Sequence, residues 1–331
     1  MRAARYYGKE DIRIEDVPEP ECGEGQIKIS PSYVGICGTD LHEYLGGPTF
    51  CPVSPHPLTH ETIPVTLGHE FSGVVSGLGA NVSGFNIGQK GGFVGLSGGG
   101  GGLSDAVVVP ASSVLALPDN VPLDIGALVE PLAVAWHAVS ASPLASTPNA
   151  NVLVLGGGPI GLAVVQALVA RKAAKIIMSE VAPARQAFAR EFGAHHVLDP
   201  RTDDTVAMSK ELCGGEDGPD IVFDCAGVPA SLVTACQAVK ARGTVVNVAI
   251  WEKEVPFQPN MLVFREAKYC AVLGYQRVDF EAVIQALGSG ALKPASMITR
   301  KIKLEDLVEG GIKTLVSQKD KHVKILVDLT S

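Results

Sequence analysis

Residues 151–180 read NVLVLGGGPIGLAVVQALVARKAAKIIMSE. A short apolar strand, NVLVL, runs into a glycine cluster; the cluster opens an apolar helix, IGLAVVQALVA; a second strand, KIIMSE, follows. Gly156, Gly158 and Gly161 spell G-x-G-x-x-G between that strand and that helix, the context that gives the pattern physical meaning. Such glycines permit the tight turn, the approach of backbone to a pyrophosphate, and close packing of helix on strand. Gly156, Gly158, Pro159, Ile160 and Gly161 are therefore the candidate contacts to a dinucleotide, whose phosphates would sit at the positive end of the helix dipole. Glu180 lies 19 residues past Gly161, at the end of the second strand, where an acid grips the adenosine ribose hydroxyls. A carboxylate there repels a 2′-phosphate, which favours NAD over NADP. Arg185 counts against that preference, since a nearby Arg can help hold such a phosphate; it equally admits a stack on adenine or a solvated side chain. The bland alternative is a glycine-rich turn in a sheet that holds no ligand.

The pattern continues downstream. HHVLD, DIVFDCAG, ASLVTACQAVKARG and TVVNVAI alternate strands with a helix. Strands alternating with helices predict an α/β fold, a Rossmann-type doubly wound parallel sheet over residues 131–275. Upstream the grammar differs. Residues 1–120 hold short strands broken by Gly and Pro, such as QIKISPSYVGI, PVTLGHEFSGVVSGLG and LSDAVVVP, which suggests an all-β, barrel-like body. HPLTHETIP is polar and proline-rich, a surface loop by composition. PLDIGALVEPLAVAWHAVSAS, from residue 122, has helical spacing and marks the change of grammar. From residue 276 the tail offers two helices, around DFEAVIQALGSG and LEDLVEGGIKTLVS, and a strand, VKILVDL. That is too little to fold alone, so residues 1–130 and 276–331 are expected to form one domain.

Composition narrows the function classes. The chain has 331 residues, 46 per cent apolar and 19 per cent charged, a globular profile long enough for two domains. A net charge of −8 without a basic cluster argues against nucleic acid. The first twenty residues lack the apolar core of a signal peptide, and no stretch reaches the roughly 18 uncharged apolar residues of a membrane span. Seven cysteines, odd in number, widely spaced and without a CxxC pair, suit a reducing cytoplasm.

Residues 34–44, VGICGTDLHEY, pack a cysteine, a threonine, an aspartate and a histidine into six positions. This is either a busy turn or part of a metal-centred site. Cys37, His69 and Glu130 are candidate ligands, but they are far apart and their spacing proves nothing. Taken singly, a cysteine after an apolar strand is usually buried filler, and a glutamate at a helix start usually complements the dipole.

GICGTDLHEY, TLGHEFSG, LVEPLAVAWHAV and VLGGGPIG occur in that order in zinc-dependent medium-chain alcohol and polyol dehydrogenases. The sequence resembles that family, most of all its 2,3-butanediol (acetoin) dehydrogenase branch, with sorbitol dehydrogenases as cousins. The resemblance implies a GroES-like β-barrel catalytic domain beside the Rossmann domain. It implies Zn²⁺ held by Cys37, His69 and Glu130, with Glu70 behind the metal and exchanging on and off it. Asp40 would hold the far nitrogen of the His69 ring. Zinc would acidify a bound alcohol; Thr39 would take the hydroxyl proton, and His42, an imidazole of the kind that serves proton relays, would pass it to solvent. Cys225, Ala226, Val248, Ala249 and Ile250 would face the cofactor, with Leu273, Gly274 and Tyr275 approaching nicotinamide and substrate. Their bland reading is sheet core. The expected activity is NAD-linked oxidation of a small secondary alcohol or vicinal diol. The alternatives are a polyol or other specialised alcohol as substrate, or an inactive dinucleotide-binding protein. The family's edge strands imply a homodimer or homotetramer.

The chain departs from the family after NIGQK, where most members carry a lobe with four cysteines around a structural zinc. Those cysteines are absent, so one catalytic zinc and no structural zinc is the expectation; either the lobe is lost or a segment is omitted. The glycine run Gly98–Gly102 reads as backbone that passes close to its neighbours.

Overall fold

The computed structural model describes residues 1–57, 59–85, 90–91, 100–215, 217–251 and 253–330. Two compact units emerge, Met1–Glu130 with Ile298–Ser331, and Pro131–Met297.

The first unit begins with β1 (Arg2–Gly8), paired antiparallel with β2 (Asp11–Asp16). Next comes β3 (Gln26–Gly35), whose core-facing residues change parity: Ile27, Ile29 and Val34 are all fully buried. A register shift between Pro31 and Tyr33 against the neighbouring strand accounts for it, since one extra residue reverses which face a side chain takes. Residues 38–46, left open as a turn by sequence, form a helix, α1 (Gly38–Gly46). β4 (Val65–Thr66) and β5 (Glu70–Leu78) are one apolar stretch split at Gly68. Gly68 has φ +98°, and a Cβ there would lie 2.7 Å from the Leu103 amide nitrogen, so glycine is required on both counts. β6 (Lys90–Gly91) pairs with β5, and β7 (Val107–Pro110) with β3; α2 (Leu123–Gly126) follows. The site of the missing lobe otherwise falls outside the described residues, as do Gly98 and Gly99. In the rest of the glycine run, a Cβ at Gly101 would meet Leu67 O at 2.3 Å and one at Gly102 would meet the Phe71 ring at 2.6 Å.

The second unit is built on α3 (Val129–Ala141), whose first two residues belong to the first unit, followed by β8 (Asn151–Leu155), α4 (Pro159–Ala170), β9 (Lys175–Ser179), α5 (Pro183–Glu191) and β10 (His196–Leu198). α6 (Thr205–Leu212), β11 (Ile221–Asp224), α7 (Pro229–Ala238), β12 (Thr244–Asn247), α8 (Asn260–Val263), β13 (Lys268–Ala271) and α9 (Arg277–Gly288) complete it. The sheet is wholly parallel in the order β10-β9-β8-β11-β12-β13. That is the doubly wound order, with its switch point between β8 and β11, where such sheets bind nucleotides. β8 and residues Gly161–Leu168 of α4 are nearly continuous apolar runs because they are buried, while Val169 near the end of α4 is exposed.

The returning segment begins at Ile298, later than the residue 276 expected from sequence. α9 stays with the second unit, where Asp279 Oδ2 accepts a 2.8 Å hydrogen bond with His137 Nδ1 of α3. The expectation failed because an amphipathic helix does not announce its partner. β14 (Ile298–Lys303) and β15 (Lys324–Asp328) then join β3, with α10 (Lys313–Ser317) between them. Residues 307–312, expected as plain helix, wind more widely at Gly310–Gly311, where a Cβ on Gly311 would lie 2.5 Å from Ile36. All seven cysteines are free thiols.

Candidate active site

Cys37 caps α1, and Asp40, three residues into the helix, accepts the Cys37 amide at 2.9 Å. The thiol therefore sits at a defined helix start, with Sγ 3.6 Å from Thr39 Oγ1. His69 follows the Gly68 kink and Glu70 opens β5 opposite Gly35, whose missing side chain makes room: a Cβ there would lie 2.2 Å from Glu70 Oε2. Among the described residues, Cys37, His69 and Glu70 form one group whose ligand atoms all lie within 4.8 Å of one another. Cys37 and the pair His69–Glu70, more than thirty positions apart, are thus brought together, three of the four side chains expected around a metal. Glu130 stands outside that close group. It is half-buried in the first turn of α3, close enough for its charge to help raise the Cys37 thiol and the Lys324 ammonium.

Sequence reasoning missed Lys324. Its ammonium, on β15, lies 2.6 and 2.8 Å from the two Glu70 oxygens and donates to Ile36 O at 3.2 Å. Lysine and glutamate are 2 and 1 per cent exposed, so this is a fully buried ion pair. The available signal was a lysine inside an otherwise apolar strand, VKILVDL, where only a partnered charge is tolerated. Burial opposes the Lys324 charge, but Glu70 holds the ammonium above its ordinary value. Burial first, and Glu70 next, push the Cys37 thiol well above the usual thiol range.

The donor set fits a divalent cation. A thiol, an imidazole and a carboxylate converge in a buried site, the mixed S, N, O chemistry that zinc takes. A second observation agrees. Buried His69 Nδ1 and Asp40 Oδ1 lie 3.8 Å apart, and neither has a hydrogen-bond partner among the described residues. An imidazole bound through Nε2 keeps its proton on Nδ1, and a nearby carboxylate is the usual acceptor. Thr39 and His42, three residues apart on α1, share a helix face; Thr39 is half-buried and His42 exposed.

Glu43, also on α1, is fully buried. Its carboxylate accepts the amides of Thr49 at 3.1 Å, Phe50 and Cys51, folding residues 47–51 back onto the helix. Tyr6 Oη donates to its carbonyl at 2.8 Å. Glu43→Ala is expected to lower unfolding stability by about 2–3 kcal/mol, read from the urea midpoint, because buried amides lose a charged acceptor.

In the second unit each glycine of the fingerprint has its own reason. A Cβ on Gly156, at φ +92°, would lie 2.9 Å from Ala226 Cβ; one on Gly161 would lie 1.8 Å from Gly156 O. At Gly158 the nearest atom would be Arg185 Nη1 at 4.0 Å, leaving an open cradle beside a cation. Glu180 lies just past β9, buried, with Oε2 accepting the Gly157 amide and Oε1 the Ala182 amide, each at 2.6 Å. Each carboxylate oxygen retains acceptor capacity for a ribose hydroxyl. Cys225 and Ala226 follow β11; Val248, Ala249 and Ile250 follow β12; Leu273, Gly274 and Tyr275 follow β13. All leave the same, carboxyl end of the parallel sheet. Ile250 and Leu273 are 52 and 79 per cent exposed, so sheet core does not describe them. Tyr275 packs edge-on against Phe280, ring centroids 4.6 Å apart.

Residues 23–119 match the alcohol dehydrogenase GroES-like domain and residues 159–289 the zinc-binding dehydrogenase domain. The chain is 43 per cent identical to the (R,R)-butanediol dehydrogenase of Bacillus subtilis strain 168, over 99 per cent of each. It is 38 per cent identical to the (R,R)-butanediol dehydrogenase of Neisseria gonorrhoeae, again over 99 per cent of each. The crystal structure of 2R,3R-butanediol dehydrogenase from Bacillus subtilis superimposes with a TM-score of 0.93 at 42 per cent identity, covering 99 per cent of both chains.

Proposed function

The chain belongs to the zinc-binding alcohol dehydrogenase family, and from that premise we propose that it oxidises 2,3-butanediol to acetoin, reversibly, with NAD. The family places it among oxidoreductases that use zinc and a nicotinamide nucleotide on a small alcohol. The convergence of Cys37, His69 and Glu70 is the observation that carries the reading. When bound, zinc lowers the pKa of the alcohol and the nicotinamide ring accepts the hydride.

The chain's own residues divide the remaining tasks. Cys37 and His69 hold the metal. Glu130 is the third ligand by the family pattern, and Glu70, which lies in the close group and also accepts from Lys324, exchanges on and off the metal. Asp40 fixes the His69 tautomer. Thr39 takes the hydroxyl proton and His42, exposed on the same face of α1, delivers it to solvent. Gly156, Gly158, Pro159, Ile160 and Gly161 cradle the pyrophosphate. Glu180 holds the adenosine ribose, and its charge disfavours a 2′-phosphate.

A single zinc per chain is supported by the sequence, which carries no cluster of four cysteines after NIGQK. Dimerisation through β13, the outermost strand, is supported by the exposed apolar side chains Phe257, Val263, Phe264 and Tyr269 around it. Seven free thiols support a cytoplasmic setting, and among the described residues no helix is long and apolar enough to cross a membrane.

The test is a rate panel with 2,3-butanediol and sorbitol, each with NAD and NADP, beside zinc analysis. Butanediol with NAD is expected to exceed either alternative by at least about tenfold in kcat/KM. A faster rate with sorbitol, or with NADP, would replace the substrate or the cofactor named here.

A further inference from the structure

Asn247 ends β12 and is 9 per cent exposed. Its amide nitrogen donates to the Ala249 carbonyl at 3.0 Å, and its amide oxygen accepts from Trp251 Nε1–H at 2.9 Å. One side chain therefore closes the following loop from both directions. The neighbouring strand grips the same loop. Asp224, register partner of Asn247, accepts the amides of Val248 at 2.9 Å and Ala249 at 3.1 Å on its backbone oxygen. Ala249 thus has its amide and its carbonyl both bonded within the chain. The Asp224 carboxylate sets the adjacent loop, accepting the amides of Ala226 at 3.1 Å and Gly227 at 3.2 Å. The two loops touch: a Cβ on Gly227 would lie 2.8 Å from Ala249 Cβ.

We infer that Asn247 and Trp251 are positioning residues for the nicotinamide nucleotide, a role that rests on the cofactor reading above. They preset the backbone of Val248–Ile250, which the nucleotide meets, and act through that backbone. The physical need is plain. Val, Ala and Ile carry no polar side chain with which to hold themselves, and Ile250 is 52 per cent exposed. Left unbraced, such a loop samples many conformations, and the cost of ordering it falls on binding. The bracket removes that cost before the ligand arrives.

Trp251→Phe keeps the ring and removes the N–H donor; Asn247→Ala removes both bonds. The measurement is NADH affinity, by titrating the fluorescence of bound NADH, on the full chain with its metal. Trp251→Phe is expected to raise the NADH Kd roughly two- to tenfold, the effect of one hydrogen bond. Asn247→Ala should weaken binding at least as much. The double variant should bind no more weakly than Asn247→Ala, because both residues act through one bond network. If Asn247→Ala does not fold, Trp251→Phe alone decides. Should both variants bind NADH as tightly as the unsubstituted chain, the inference is wrong and the cofactor reading stands. Should the unsubstituted chain itself fail to bind NADH, the cofactor reading falls and takes the inference with it.

Discussion

Replacing Cys37 with alanine is expected to strip the metal and reduce alcohol oxidation by at least about a thousandfold. Several kcal/mol of transition-state stabilisation come from a catalytic metal, and about 1.4 kcal/mol is a factor of ten. The sulfur is the one soft ligand in the group of Cys37, His69 and Glu70, and alanine offers nothing in its place. Elemental analysis should fall from about one zinc per chain toward none, the stoichiometry of a single catalytic site. NADH binding separates this effect from general misfolding. The fingerprint glycines and Glu180 lie in the other compact unit, so the affinity for NADH should survive. A Cys37→Ala chain that keeps both zinc and rate would remove the cysteine from the metal site.

The second large effect concerns Lys324. In the metal-free chain, Lys324→Met leaves the Glu70 carboxylate, 1 per cent exposed, without its counter-charge. Breaking a buried pair by removing one partner costs about 3–5 kcal/mol, because the remaining ion stays desolvated and uncompensated. The urea midpoint should drop accordingly. Adding Glu70→Gln in the same chain should restore most of the loss, since the buried charge is then gone. That recovery distinguishes an electrostatic role from simple loss of packing by the lysine stem. If Lys324→Met alone stays within about 1 kcal/mol of the parent, the range of an ordinary exposed ion pair, the pair has no such role.

The two predictions differ in how much of their basis is legible in the sequence. Cys37 was legible because it sits in a compact cluster of chemical side chains, with Thr39, Asp40 and His42 within six positions. Lys324 was not, because its meaning depends on a strand more than two hundred residues away. In α1 the six-residue cluster is visible in the sequence, while the local contacts of Asp40 with the Cys37 amide and of Glu43 with the loop beyond follow only once the helix has formed. α9 was legible as a helix and misassigned to a domain, since its apolar face fits either core by periodicity alone. The nucleotide unit was the easiest part. Its glycines answer local demands of turn and helix packing, and those demands are written within thirty consecutive residues.

What the sequence by itself determined is therefore the local and the periodic: the strand–glycine–helix unit, the alternation that dictates a parallel sheet, and the residue types capable of binding zinc and nucleotide. Tertiary structure alone decided which of those residues meet. It brought His69 and Glu70 to Cys37, set Glu130 outside that close group, and paired Glu70 with Lys324. The physical reason is one of range. Backbone propensity and hydrophobic period act over a few residues and are read directly. A buried charge or ligand finds its partner through the folded path of the chain, and no local pattern encodes that distance.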